Sequence, residues 1–179
     1  MQKEEKQFIR DFSTIICNLT ANKVYSNVIF LCVGTDRITG DTFGPIVGHK
    51  LKKLFQGIKN IDIIGDLDNT VCDANINQIL QEIKQKYSNP FIVAIDSAMS
   101  CNEDNIGRII VTEGGIYLGR GLGKTRSCIG DMSIKGVVAK DLEDAKQNLC
   151  ILQNINLGFV MNMADTVANG IFASIEIQD

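Results

Sequence analysis

The chain has 179 residues, 45% of them hydrophobic and only two of them proline, which suits a single domain with a sizeable core. A net charge of −3 without a long basic run removes the electrostatic basis for binding nucleic acid or a membrane surface. No apolar run nears the roughly 20 residues that span a bilayer. The charged opening MQKEEKQFIRDF has no apolar signal core, so a cytoplasmic protein is expected.

Phe8, Phe12, Ile15, Ile16 and Leu19 recur at helical spacing, which predicts an amphipathic helix over about 5–20, packed on a core of about 27–173. Val28 to Val33 is an apolar run read as a buried strand. It ends at Gly34 and passes through the polar turn Thr35–Asp41 into a helix opened near Pro45. Phe43, Ile46, Val47, Leu51, Leu54 and Phe55 form that helix's stripe, and Gly57 stops it. Ile61 to Gly65 is a second strand with a polar exit, Asp66 to Thr70. Ile76, Ile79, Leu80, Ile83 and Tyr87 mark a helix that ends before Pro90. Phe91 to Ile95 is a third strand. A fourth, Gly107 to Glu113, follows without an intervening helix. It is expected to run antiparallel to its neighbour, because a parallel crossover needs about a dozen residues. After a glycine-rich loop, Gly114 to Asp131, come a fifth strand (Met132 to Ala139) and a helical region from Asp141 to about Ala173, in one piece or two. The class is α/β, with three layers around a mostly parallel sheet. The six cysteines contain no CxxC pair and are read as reduced core residues, not as a disulfide framework or zinc site.

In such sheets ligands bind at the carboxyl ends of the strands. Two strands deliver an acid there, Asp41 through the first loop and Asp96 directly. Each has a plain structural reading: Asp41 as a helix N-cap, Asp96 as a turn residue closing its strand. Together they make a second reading possible. Two close carboxylates push their pKa values apart, which yields an acid and a base suited to activating water against an amide. A divalent cation held between them is the alternative. Asp36 is a weaker third acid, with a local ion pair to Arg37 as its bland role, and Asp66 and Asp68 also exit a strand towards the cleft. Ser97 and Ser100 follow Asp96, but His49 is the lone histidine and sits in a helix, so a Ser-His nucleophile is disfavoured. Backbone N–H groups of Gly34 to Gly40 are candidates to hold a substrate carbonyl. The candidate binding residues are thus Gly34, Thr35, Asp36, Gly40 and Ser97, joined by Arg120 and Lys124 of the glycine-rich loop. With Arg126, those two are placed to hold a carboxylate or a peptide backbone if the loop is a flap; the alternative is a solvated surface loop. That loop is not a P-loop: Gly123-Lys124-Thr125 has the right ending, but Leu118 occupies the place of the first glycine and no helix follows.

The stretches GTDRITGDTFGPIVG and NPFIVAIDSAM, with GRIIV, GRGLGKTRSCIGD and LQNINLGFVMNMAD, resemble the YyaC-type sporulation proteins of spore-forming bacteria. These are relatives of the spore germination protease and, more distantly, of the hydrogenase maturation endopeptidases. The resemblance spans about Asn27 to Ala173. It implies a three-layer α/β/α sandwich around a five-stranded mixed sheet with one antiparallel strand. It also implies a catalytic pair at Asp41, which precedes Thr42-Phe43-Gly44-Pro45, and at Asp96, which ends an Ile-Asp strand. In the hydrogenase peptidases two carboxylates and a downstream histidine grip a metal; here no histidine follows Asp96. The expectation is a sporulation-related peptidase of the forespore or mother-cell cytoplasm, acting on a protein or peptide without a cofactor. The rivals are a non-catalytic peptide-binding protein on the same fold and a metal-dependent hydrolase.

Overall fold

The computed structural model of the protein describes residues 3–117 and 128–176. Five strands form one sheet in the order β2-β1-β3-β5-β4. They are β1 (Asn27–Cys32), β2 (Ile61–Ile64), β3 (Pro90–Ser100), β4 (Ile109–Glu113) and β5 (Met132–Lys140). All neighbouring pairs are parallel except β4 with β5. The expected mixed sheet with one antiparallel strand is therefore present. β4 pairs with β5 at the sheet edge and not with β3, the strand before it in sequence.

Helices α1 (Lys3–Thr20), α2 (Phe43–Leu54) and α5 (Leu157–Glu176) cover one face, and α3 (Ile76–Lys86) covers the other. The two faces hold separate cores. Phe30, Cys32, Phe91, Val93, Ile95, Met132 and Ile134 point to the first, and Ile29, Leu31, Val33 and Ala94 to the second. That is why β1 reads as an unbroken apolar run: both of its faces are buried. On the second face the chain just after β4 and just before β5 joins the core, where Ile116 and Ile129 pair in a single antiparallel bridge. α1 docks through buried Phe8 and Phe12, and Phe8 lies over Gly170 of α5.

The last helical region is two pieces. α4 (Ala145–Gln153) is capped by Asp144, whose carboxylate accepts from the Lys146 and Gln147 N–H groups, and α5 follows after a short break. The cysteines depart from their sequence reading. None of the six is in a disulfide, but only Cys32 is buried, and burial pushes its thiol pKa up. Cys17, Cys101, Cys128 and Cys150 are exposed, so they are not core residues.

Three glycines set how closely α2 approaches β1 and β2. A Cβ on Gly44 would lie 2.0 Å from the Val33 carbonyl oxygen, and one on Gly48 would lie 1.9 Å from that of Gly65. Gly65 itself has φ +93 and passes equally close to Cys32. Gly44→Ala must therefore push α2 off the end of β1. Overpacking of this kind costs about 1–3 kcal/mol. Urea unfolding is expected to show a loss in that range, and a change below about 0.5 kcal/mol would contradict the close approach.

Candidate functional site

β1 ends at Cys32, paired with Ile95, while β3 continues to Ser100 beside β5. Asp96 is therefore the first residue of β3 beyond the end of β1. This corrects the reading of Asp96 as a turn residue: it lies inside an 11-residue strand, uncovered on one side because β1 has stopped. The chain leaving β1 bonds Val33 N–H to the Ile95 carbonyl (2.7 Å) and Gly34 N–H to the Val71 carbonyl (2.8 Å). It then turns through a 3-10 segment, Thr39–Thr42, that carries Asp41. Gly34 has φ +144, and a Cβ there would lie 2.1 Å from the Asp41 carbonyl oxygen, so only glycine lets the loop fold back this tightly.

Asp41 does not cap α2. Thr42 holds the N-cap position, and its hydroxyl donates instead to the Thr39 carbonyl at 2.6 Å. The Asp41 carboxylate turns to the sheet and accepts from the Ser97 hydroxyl at 3.2 Å. Burial raises the Asp41 pKa, while the Ser97 hydroxyl and Thr35 N–H favour its ionised form. Asp96 is pushed up to about 8, first by desolvation and then by the negative charge of Asp41. The Ser97 N–H and the Lys135 ammonium act in the other direction. The two acids thus share one electrostatic environment, in which burial raises both and the charge of Asp41 favours the protonated form of Asp96.

The remaining candidates divide. Ser97 belongs to the pair through Asp41. Thr35 donates its N–H to the Asp41 carbonyl (3.2 Å) and its hydroxyl to the Asp36 carboxylate (3.5 Å). Among the described residues Asp36 forms no ion pair with Arg37. The carbonyl-holding role expected of the Gly34–Gly40 backbone loses three donors, since the N–H groups of Gly34, Thr35 and Arg37 are spent inside the fold or the loop. Gly40 is buried against Leu152 and Ile155, and packing accounts for it. Asp66 is buried and belongs to its own turn. It pairs with Lys52 and accepts from the N–H groups of Asp68 (2.8 Å) and Asn69 (2.6 Å). Burial raises its pKa, but Lys52 and those N–H groups outweigh it and hold the carboxyl below the usual range. Asp68 is exposed at that turn. Arg120, Lys124 and Arg126 lie outside the described residues.

Two features escaped sequence reasoning. One is Lys135, in direct register with Asp96 on β5. The other is a groove of about 690 Å³ between α2 and α5, opening beside the acid-bearing loop at Asp36 and Thr39 and lined by Ile46, Lys53, Leu157 and Met161. Neither leaves a periodic signal, because each depends on residues far apart in the chain. His49 lines this groove and is not at the acid pair. The donor set does not fit a metal centre. Among the described residues no three His, Cys, Asp or Glu side chains gather to hold an ion, and the lysine beside Asp96 brings a cation of its own.

An acid whose folded pKa lies above its unfolded value favours the folded state at low pH. For Asp96 that contribution is complete below about 4 and is lost as pH rises through about 8. Asp96→Asn removes the loss. The variant is expected to gain stability over the parent between about pH 5 and pH 8, by at least about 1 kcal/mol, less than the worth of one pKa unit. Urea unfolding at the two pH values checks this, and a difference independent of pH would contradict the raised pKa.

The chain is 29% identical to the "Uncharacterized protein YyaC" of Bacillus subtilis over 178 residues, covering 95% of this chain and 84% of the relative. Its structure is similar to that of a [NiFe] hydrogenase maturation protease, HycI, from Thermococcus kodakarensis. The TM-score is 0.55 at 15% identity, and the match covers 90% of this chain and 99% of that one. At that identity the likeness is one of fold. The family model described as "Protein of unknown function (DUF1256)" matches residues 1–170, and the chain belongs to that family.

Proposed function

We propose that the protein is a peptidase that hydrolyses a peptide bond with the Asp41–Asp96 pair, in a sporulation-related role inside the cell. The observation that carries this reading is that two acids from separate elements lie within electrostatic reach of each other, Asp41 bonded to Ser97 and the adjacent Asp96 pushed up to about 8 by burial and by the charge of Asp41. The fold, shared with a maturation protease, is consistent with it. The sporulation setting rests on the sequence resemblance alone. Among the described residues no helix is long and apolar enough to cross a membrane.

The chemistry balances with these two groups and water. Ionised Asp41 takes a proton from water as its oxygen attacks the carbonyl carbon. Protonated Asp96 gives its proton to the leaving nitrogen as the C–N bond breaks. The products are a carboxylic acid and an amine, and the pair is left with the proton on Asp41 instead of Asp96. One proton transfer resets it. Ser97 holds the Asp41 carboxylate in position for this exchange. No cofactor enters the cycle.

Activity should fall above about pH 8, where Asp96 loses its proton, and again on the acid side, where Asp41 gains one. The test is incubation with a peptide library, read by mass spectrometry, for the parent, Asp41→Asn and Asp96→Asn. Each variant is expected to lose about 100-fold or more, the worth of a positioned general acid or base. Full cleavage by both variants, or no cleavage by the parent between about pH 5 and pH 9, would contradict the proposal. Tight peptide binding without cleavage would point to a holder on the same fold.

A further inference from the structure

We propose that Lys135 is a third working residue of the site: it lies across from Asp96 on the same face of the sheet and serves as the counter-charge for the Asp96 carboxylate. The inference deepens the peptidase reading, and its first part stands without it.

Three observations place Lys135 there. In parallel strands, residues in register project to the same face about 4.8 Å apart, and Asp96 is in register with Lys135. The lysine is mostly buried, yet among the described residues it makes no hydrogen bond or ion pair. Lysines are seldom buried without a partner, so such a cation beside Asp96 needs an explanation. Finally, this face of β4 and β5 is polar at the next matched position along the strands, where the Thr112 and Ser133 hydroxyls bond at 2.8 Å. β4 opposes Lys135 with Ile110, which carries no charge. Among the described residues the charged group in register with the lysine is thus Asp96 from β3, while Asp41 of the 3-10 segment meets the neighbouring Ser97, which the strand's alternation turns to the opposite face.

This arrangement changes the charge count. With one proton shared, the three groups sum to zero. When Asp96 gives up its proton, Lys135 leaves the site at one negative charge instead of two. It supplies the positive field that the Gly34, Thr35 and Arg37 N–H groups, already engaged, do not. Lys135 is a positioning residue in this account, because it acts through Asp96.

The test follows the Asp96 carboxyl carbon by NMR across pH in the parent, Lys135→Met and Lys135→Arg, with Asp96→Asn fixing the assignment. Lys135→Met is expected to raise the Asp96 midpoint by at least about half a unit, and Lys135→Arg to restore it, as an opposite charge within reach requires. A smaller rise or a fall in Lys135→Met overturns the inference, as does a failure of arginine to restore the midpoint. If Lys135→Met does not fold, Lys135→Gln decides by the same readout: it too should raise the Asp96 midpoint by at least about half a unit, and an unchanged midpoint overturns the inference. This readout needs no cleavage. A protein without peptidase activity but with coupled titrations removes the peptidase reading and leaves the counter-charge standing.

Discussion

The site depends on one strand stopping before its neighbour. β1 ends opposite Ile95 while β3 runs on to Ser100, so Asp96 stands on a fully formed strand with an open flank. An acid at the centre of the sheet would be buried without relief, and one in a loop would be solvated and ordinary. Here the strand fixes the side chain while the missing neighbour leaves it reachable. The glycines at 34, 44 and 48 make the other half of the arrangement. They let the departing chain and α2 close down on the end of β1, which brings Asp41 back over the same opening.

Burial then decides the protonation. Among the described residues neither acid is matched by an ion pair as Asp66 is with Lys52, and desolvation dominates at both Asp41 and Asp96. The contrast with Asp66 is informative, because all three acids follow or lie on strands of one sheet. Asp66 is turned into its own loop, met by two N–H groups and a lysine, and held ionised. Asp96 meets another acid first and a lysine second, and is held protonated. Position in the fold selects the same strand edge for all three, and partners separate an acid held ionised from one held protonated.

Much of this was legible in the residues. The apolar runs placed the strands, and the polar turn after Val33 placed the loop. The lack of a helix between the third and fourth strands foretold the antiparallel member. Asp41 and Asp96 emerged from the rule that strand ends present ligand-binding groups. What was not legible came from pairing across the chain. After Ile95 the stretch Asp96-Ser97-Ala98-Met99-Ser100 turns polar, because only β5 flanks it there, and so it resembles a turn. The register that sets Lys135 beside Asp96 leaves no local trace. Gly40 looked like a loop glycine and is instead the floor for Leu152 and Ile155. Exposed cysteines such as Cys17 and Cys150 sit in apolar sequence but outside the core.

The central claim is that Asp41 and Asp96 form one unit. A crystal structure near pH 6 measures it most directly, through the separation of their carboxyl oxygens. The account predicts that the two share a hydrogen bond or a single bridging water, within about 6 Å, the range over which neighbouring charges shift each other's titration. Carboxyl groups farther apart than about 10 Å, or Asp96 turned away from the opening with Asp41 capping α2, would contradict it.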